Sequence, residues 1–487
     1  MTQRLDQIHS SITANTINTT LTAQQNHAEL LKTAFEQSEI QPTLEKTRLQ
    51  PTQLTHIPKL DKIPASTKRI KPLNNFLGQD RARASVEAGI ALPYSGYNIF
   101  AVGTAGLGKR TMVKRLLQQH AKTMQTPNDW VYVNNFQNPR QPIALEFPAG
   151  QGPKFQTMLH QSWQTILKQL ERRFTAETYY NRIEMIRQQT GDEQQQALIE
   201  LTREGEEFDL KLISRNDEHC FVPVHLKDDK LQEMTQDDLN ALSNKDRAEI
   251  ASNMRYMDKK LERLGLHLGD LEDDARDRVQ VLNREIAKQV VVPRVEQMLA
   301  KFKDVEGLDK YLKFYAEDII NNVEIVLEQE EDDFTPGLFS RVPSRYQANV
   351  IVTYKPNSGA PVIFEDFPTH YNLLGHVEQL TQNGTITTDF TLIRPGSMHR
   401  ANGGFLMIEA EQLLEQPYAW QGLKRALKSG QLKLSSLEHM LTLTGSISIE
   451  PAAIPLDIKI VLLAEPEIYY EILELEPELG SIFKIRA

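Results

Sequence analysis

The spacing of apolar residues changes character along the chain and predicts elements of several kinds. From Asp80 to Leu92 it is helical, from Tyr97 to Val102 it is a continuous apolar run that predicts a strand, and a helix through Leu117 follows the glycine-rich stretch Gly103 to Gly108. A second strand, Trp130 to Val133, runs into the turn-rich Asn134 to Pro142. Residues 155–205 and 245–292 are then rich in Glu, Gln, Lys, Arg and Leu, the composition of long solvated helices. In the second of these, Leu261, Leu264, Leu268, Leu271 and Ala275 recur at alternating steps of three and four and continue through Val279, Leu282 and Ile286, a coiled-coil seam. Its expected partner is the first long helix, with Trp163, Ile166, Leu167, Leu170 and Phe174 on one side, giving an antiparallel hairpin. Between the arms, Phe208, Leu210 and Leu212 alternate with polar residues, and Cys220 to Leu226 resume a strand after a turn, so a small β element is expected near the hairpin tip.

Beyond the acidic run Glu328 to Asp333, strands return at Gln347–Tyr354, Pro361–Glu365, Gly404–Ile408 and Ile458–Leu463. The expected division is an N-terminal arm and proline-marked connector (1–70), a first core segment with the glycine loop (71–150), a helical insertion with a small β element (151–340) and a second core segment (341–487). The fold class expected is α/β, a core with a parallel sheet interrupted by an antiparallel coiled coil.

Composition narrows the functions available. With 487 residues, 40% hydrophobic and 25% charged, the chain has material for two or more cores. A net charge of −10 excludes a uniform basic field, so nucleic-acid binding would need a local patch. The candidate, Lys424, Arg425, Lys428 and Lys433, reads more simply as one face of a helix and the following strand. The single cysteine, Cys220, excludes an intramolecular disulfide and a multi-cysteine zinc site, and fits a reducing compartment. No signal peptide or bilayer-length apolar run is apparent, so a soluble, cytoplasmic protein is expected, with no membrane partner.

Gly103-Thr104-Ala105-Gly106-Leu107-Gly108-Lys109 has the spacing that lets successive backbone N–H groups wrap a phosphate while a lysine reaches its outer oxygens, at a helix start whose dipole favours the anion. The next position ordinarily carries Ser or Thr to coordinate Mg²⁺; here it is Arg110, with Thr111 one place later and about 100° further round the helix. For Arg110 two roles stand open, a direct phosphate contact or a solvent-facing arginine. Nucleotide binding tolerates the change better than magnesium-dependent hydrolysis does.

With Phe76-Leu77-Gly78-Gln79-Asp80-Arg81-Ala82, Gly96 to Phe100, the phosphate loop, Trp130 to Phe136, Pro395 to Gly404 and Trp420 to Ile449, roughly residues 50–487 resemble the AAA+ ATPase module of Lon-like proteases that carry a long insertion in the core. The resemblance implies ATP and Mg²⁺ as cofactors, with Phe76, Gly78 and Gln79 bordering the adenine and residues 103–111 forming the cradle. It makes Phe405 to Ala410 the Walker B strand, with Lys109 and Glu409 catalytic and Glu409 and Thr111 the metal ligands. Ala410 stands where a water-orienting glutamate is expected; for Glu411, one residue on, two readings stand open, compensation for Ala410 or, as a one-residue shift from a strand end usually gives, a side chain pointing elsewhere. Ala464-Glu465 stands at the usual polar sensor. Arg486 falls where an arginine finger is expected, against the plainer reading of a surface arginine. Tyr371 is a pore-facing candidate or a core aromatic, and His399 reads as structural rather than as a metal ligand. By the same resemblance the partners are unfolded or damaged proteins and further copies of the chain in a ring, expected to be hexameric. The Ser-Lys protease domain is expected beyond Ala487, so residues 1–487 are expected to be without peptidase activity. Two functions follow: an ATP-driven unfoldase module of an endopeptidase, or a nucleotide-binding oligomerisation scaffold that does not hydrolyse ATP.

Overall fold

The computed structural model describes residue 50 and residues 66–70, 79–215, 218–227, 230–328, 343–382, 385–434 and 449–487. Phe76 and Gly78, most of the N-terminal arm and connector, most of the acidic run, Asn383-Gly384 and residues 435–448 lie outside them. Within the first compact unit, Met1–Phe76, the described part is residue 50 and a single 3₁₀ turn, Thr67–Arg69, with its flanking residues; Ser66 opens that turn by accepting the Lys68 N–H.

In the second unit, Leu77–Ala487, the elements used below run in chain order. They are α1 (Asp80–Ala91), β1 (Ile99–Val102), α2 (Lys109–Ala121), β2 (Asp129–Val133), β3 (Ile143–Phe147), α3 (Gly152–Phe174) and α4 (Glu177–Glu206). Next come β4 (Leu210–Arg215), β5 (Glu218–Lys227), β6 (Lys230–Glu233), α5 (Asn244–Lys301), α6 (Leu308–Asn321), β7 (Ala348–Val352), β8 (Val362–Glu365) and α7 (His370–Leu374). The last are β9 (Gly404–Glu409), α8 (Ala410–Glu415), α9 (Ala419–Ser429), β10 (Ile458–Ala464), α10 (Pro466–Leu475) and β11 (Ile485–Arg486). Among the described residues, no helix is long and apolar enough to cross a membrane.

The central sheet has five strands in the order β11-β1-β10-β9-β8, all paired in parallel. Its middle strands are apolar at consecutive positions because both faces are covered. Phe405, Met407, Val461 and Leu463 pack with α1 and α2 on one face, while Leu406, Ile408, Ile460 and Leu462 pack into a second cluster with α9 on the other. The fold is the mixed α/β class expected of an AAA+ core.

The strand expected at Trp130–Val133 forms, but in another sheet. β2 pairs antiparallel with β3 and β7 in a three-stranded sheet of order β3-β2-β7. Its side chains alternate between two cores: Val131 and Val133 face a helical cluster with α3, α5 and α6, while Trp130 and Tyr132 face the cluster beneath the central sheet.

The first long helix is two helices. α3 ends at Phe174, Ala176 adopts an extended conformation, and α4 begins at Glu177. Trp163, Ile166 and Leu170 of α3 therefore pack with Ala287, Val291 and Met298 near the end of α5, not with the leucine seam. The seam's neighbour is α4, running antiparallel: Tyr179 donates to Asn283 at 3.0 Å, and Lys260 pairs with Glu204. α5 spans 58 residues, about 87 Å at 1.5 Å per residue. Near the α4–β4 end, Met257 is fully buried with Leu201, Leu210 and Phe221, joining both helices to the sheet β4-β5-β6. Leu268 is half-buried. Leu268→Asp is expected to cost about 1 kcal/mol locally, read as faster amide exchange over residues 255–280 with β9 and β10 unchanged; equal acceleration throughout would show that the helix pair has no independent stability.

Candidate functional site

The glycine loop bridges the end of β1 and the start of α2. Gly106 and Gly108 have φ of +84° and +76°, and a Cβ at either would meet nothing within 4 Å, so backbone conformation rather than crowding calls for glycine there. The loop is tied to its neighbour strand by the Gly103 N–H donating to the Ala464 carbonyl at 3.1 Å. Lys109 folds across it, its ammonium donating to the carbonyls of Gly103 at 2.6 Å and Ala464 at 2.9 Å. At the expected sensor position the polar group is thus a backbone carbonyl, and the Ala464 side chain is buried.

A cleft of about 410 Å³ opens over this loop, lined by Thr104, Ala105, Gly106, Gly108, Lys109 and Arg110 on one side and by Glu409, Glu411, Ala464 and Glu465 on the other. Burial pushes the Glu409 carboxyl above its ordinary range; Lys109 and Arg110 oppose the shift, while Glu411 adds to it. Ala410 is buried in the apolar cluster beneath β9, so the position expected to orient water points into the core. Glu411, left open between compensating for Ala410 and pointing elsewhere, lines the cleft from the first turn of α8 together with Glu409, while Ala410 between them is buried.

The remaining sequence candidates divide. Arg110 lines the cleft rather than pointing only to solvent, and its guanidinium lies over the Phe364 ring of β8, 3.6 Å from the centroid. Thr111 is exposed and is not among the cleft residues, as its rotation about α2 dictates. Leu107 is 63% exposed at the loop's rim and does not line the cleft. Gln79, exposed at the start of α1, also stands outside it. Arg486 sits on β11 in register with Phe100, where it donates to the Tyr470 hydroxyl at 2.9 Å and stacks on Tyr469 and Tyr470, away from the cleft.

Residues 358–487 match the family model of the LonB-like AAA domain, and residues 129–162 match that of the Lon-like LonC helical domain. Both matched stretches are thus similar to Lon-like proteins. A relative from Escherichia coli (strain K12), described as "Putative Lon protease homolog", is 32% identical over 120 residues, which cover 25% of this chain and 19% of that protein. The LonB-like stretch contains Glu409, Glu411 and Glu465, and the phosphate loop precedes it, joined to it by β1, which pairs with β10 and β11. The LonC-like stretch covers β2, β3 and the first half of α3, the junction between the antiparallel sheet and the helices.

Elsewhere in the chain, Tyr371 is 42% exposed on α7 and Phe367, just before it, 58% exposed, so neither is a core aromatic. His399 is buried; its Nδ1 accepts the Gly396 N–H at 3.3 Å, and burial lowers its pKa to about 4, leaving the ring neutral at pH 7. Lys424 and Lys428 form ion pairs with Glu476 and Glu478, which offsets the basic face of α9.

ATP suits this cradle, with open loop glycines and a lysine at the helix start. Mg²⁺ suits it less well. The hydroxyl expected to hold it is replaced by a guanidinium.

Proposed function

We propose that the chain is the AAA+ module of a Lon-type ATP-dependent endopeptidase, that it binds ATP in the loop cleft, and that it turns ATP over slowly or not at all. The observation carrying the proposal is the pairing of an intact phosphate cradle with a buried Ala410. In binding, Lys109 would exchange the carbonyls of Gly103 and Ala464 for phosphate oxygens. Glu409 would carry any charge role at the strand end, and Glu411 is the nearest candidate to orient water, from a helix rather than from the strand.

The proposed division is a core of residues 71–150 and 341–487 around a helical insertion of 151–340. The sheet β3-β2-β7 joins the parts, since its strands come from both core segments. We read α4 and the outer part of α5 as a coiled-coil arm, and exposed Phe367 and Tyr371 as contacts for unfolded polypeptide. Arg486 would act on a neighbouring copy in a ring, proposed to be hexameric. A cytoplasmic setting accords with Cys220 as the sole cysteine.

Calorimetric titration with millimolar ATP at low salt is expected to show saturable binding, and phosphate release is expected to match that of Lys109→Ala. An absence of binding in folded protein would refute the nucleotide reading. Steady phosphate release that Lys109→Ala abolishes would refute slow turnover alone. The second reading, a nucleotide-binding scaffold, is favoured by the apolar surroundings of Ala410 and gains if phosphate release is nil.

A further inference from the structure

We infer that Arg110 supplies the positive charge that a metal ion would otherwise bring, so that the chain binds ATP without Mg²⁺. The inference rests on the nucleotide reading above. In a magnesium-dependent phosphate loop the residue after the lysine offers a hydroxyl to the ion, and the ion keeps its remaining positions for water, one or two carboxylates and the phosphates. Here that residue is a permanent cation. Its position is fixed by Phe364, whose ring centroid lies 3.6 Å from the guanidinium carbon. Phe364 stands on β8 in register with Met407 of β9, two residues before Glu409, so the stack holds the guanidinium beside the end of the Walker B strand. There it lines the cleft with Lys109 and Glu409 and acts electrostatically on Glu409.

A divalent ion bound by Glu409 would have this fixed charge as a neighbour, and the two would repel. The nearest substitute hydroxyl after the lysine, Thr111, is exposed outside the cleft. A guanidinium, by contrast, presents a planar fork of N–H donors that matches two phosphate oxygens at once and requires no water ligands. Lys109, Arg110 and the start of α2 therefore form one continuous cationic wall of the cleft.

The test titrates the full chain with ATP by calorimetry in millimolar MgCl₂ and, separately, in excess EDTA. The wild-type affinities are expected to agree within about twofold. Arg110→Ser removes an exposed cation and restores the hydroxyl; it is expected to lose about tenfold in EDTA, the scale of one charge-assisted hydrogen bond, and to recover in MgCl₂. Phe364→Leu keeps the cation and removes its platform, and is expected to weaken binding equally in both buffers. Wild-type binding that collapses in EDTA overturns the inference while leaving the nucleotide reading intact, and so does Arg110→Ser binding as tightly as wild type in EDTA. Failure of folded wild type to bind ATP in either buffer overturns both.

Discussion

Lys109→Ala is expected to lower ATP affinity by about a hundredfold, the upper range for losing a charged hydrogen-bonding group that meets an anion in a partly desolvated cleft. The ammonium is half-buried and directed across the loop to the carbonyls of Gly103 and Ala464. Those carbonyls compete with phosphate for it, so the gain on binding is a difference between two sets of charge-assisted bonds, larger for the anionic partner. The variant also loses the lysine's bond to Ala464 of β10 and its bond to Gly103 within the loop, whereas β1 and β10 remain paired along four positions and the fold should survive. Lys109→Met, which keeps the apolar stem, separates charge from packing and is expected to lose affinity as Ala does. Calorimetry with circular dichroism as a folding control reads both. A loss of less than threefold in folded Lys109→Ala would mean that the phosphates lie elsewhere.

The parts of this architecture that were legible in the sequence are those set by local pattern. Strands buried on both faces read as unbroken apolar runs, and so β1, β8, β9 and β10 lie close to where the runs at Tyr97, Pro361, Gly404 and Ile458 place them. The loop between β1 and α2 is written in three glycines and a lysine. Sheet membership is not local: Trp130–Val133 reads as a strand, but nothing in those residues shows that Leu145 and Val350 will be the partners of Val131. The break between α3 and α4 falls at Thr175-Ala176, without Gly or Pro, while Phe174 and Tyr179 stay in ring contact across it, so apolar spacing runs on through the interruption.

At the site, the same division holds. Glu411 was open to inference from its two-residue step from Glu409, the spacing that shares one face of an extended chain with Ala410 turned inward between them. The stacking of Arg110 on Phe364 was not, since 254 positions separate the two residues and only the order of the sheet brings them together. Glu465, at the expected polar sensor, lines the cleft. Its neighbour Ala464 meets the loop through its carbonyl, an atom every residue type carries and no sequence pattern marks.

Asp129→Ala is expected to destabilise the protein by about 3 kcal/mol, the cost of stripping a buried acceptor from several donors at once. The Asp129 side chain is fully buried. One carboxylate oxygen accepts the Gly152 N–H at 2.9 Å and the Thr353 hydroxyl at 3.1 Å, and the other accepts the Tyr354 N–H at 2.9 Å. One side chain therefore joins the start of β2, the first residue of α3 and the segment leaving β7. Truncation leaves one buried and one part-buried backbone donor without their partner. Asp129→Asn separates shape from acceptor capacity: its amide nitrogen would face an N–H donor, so only part of the loss should be recovered. Differential scanning calorimetry of the full chain is the appropriate measurement, since a chain with several cores need not unfold in one step. Both variants are expected to melt below wild type, Ala lower than Asn. If Asp129→Ala melts together with wild type, the carboxylate is dispensable and the junction is held by packing alone. The bonds reach across 23 positions to Gly152 and 225 to Tyr354, so their loss should loosen the helical body and the sheet β3-β2-β7 together, with the ATP cleft retained at temperatures where that junction has opened.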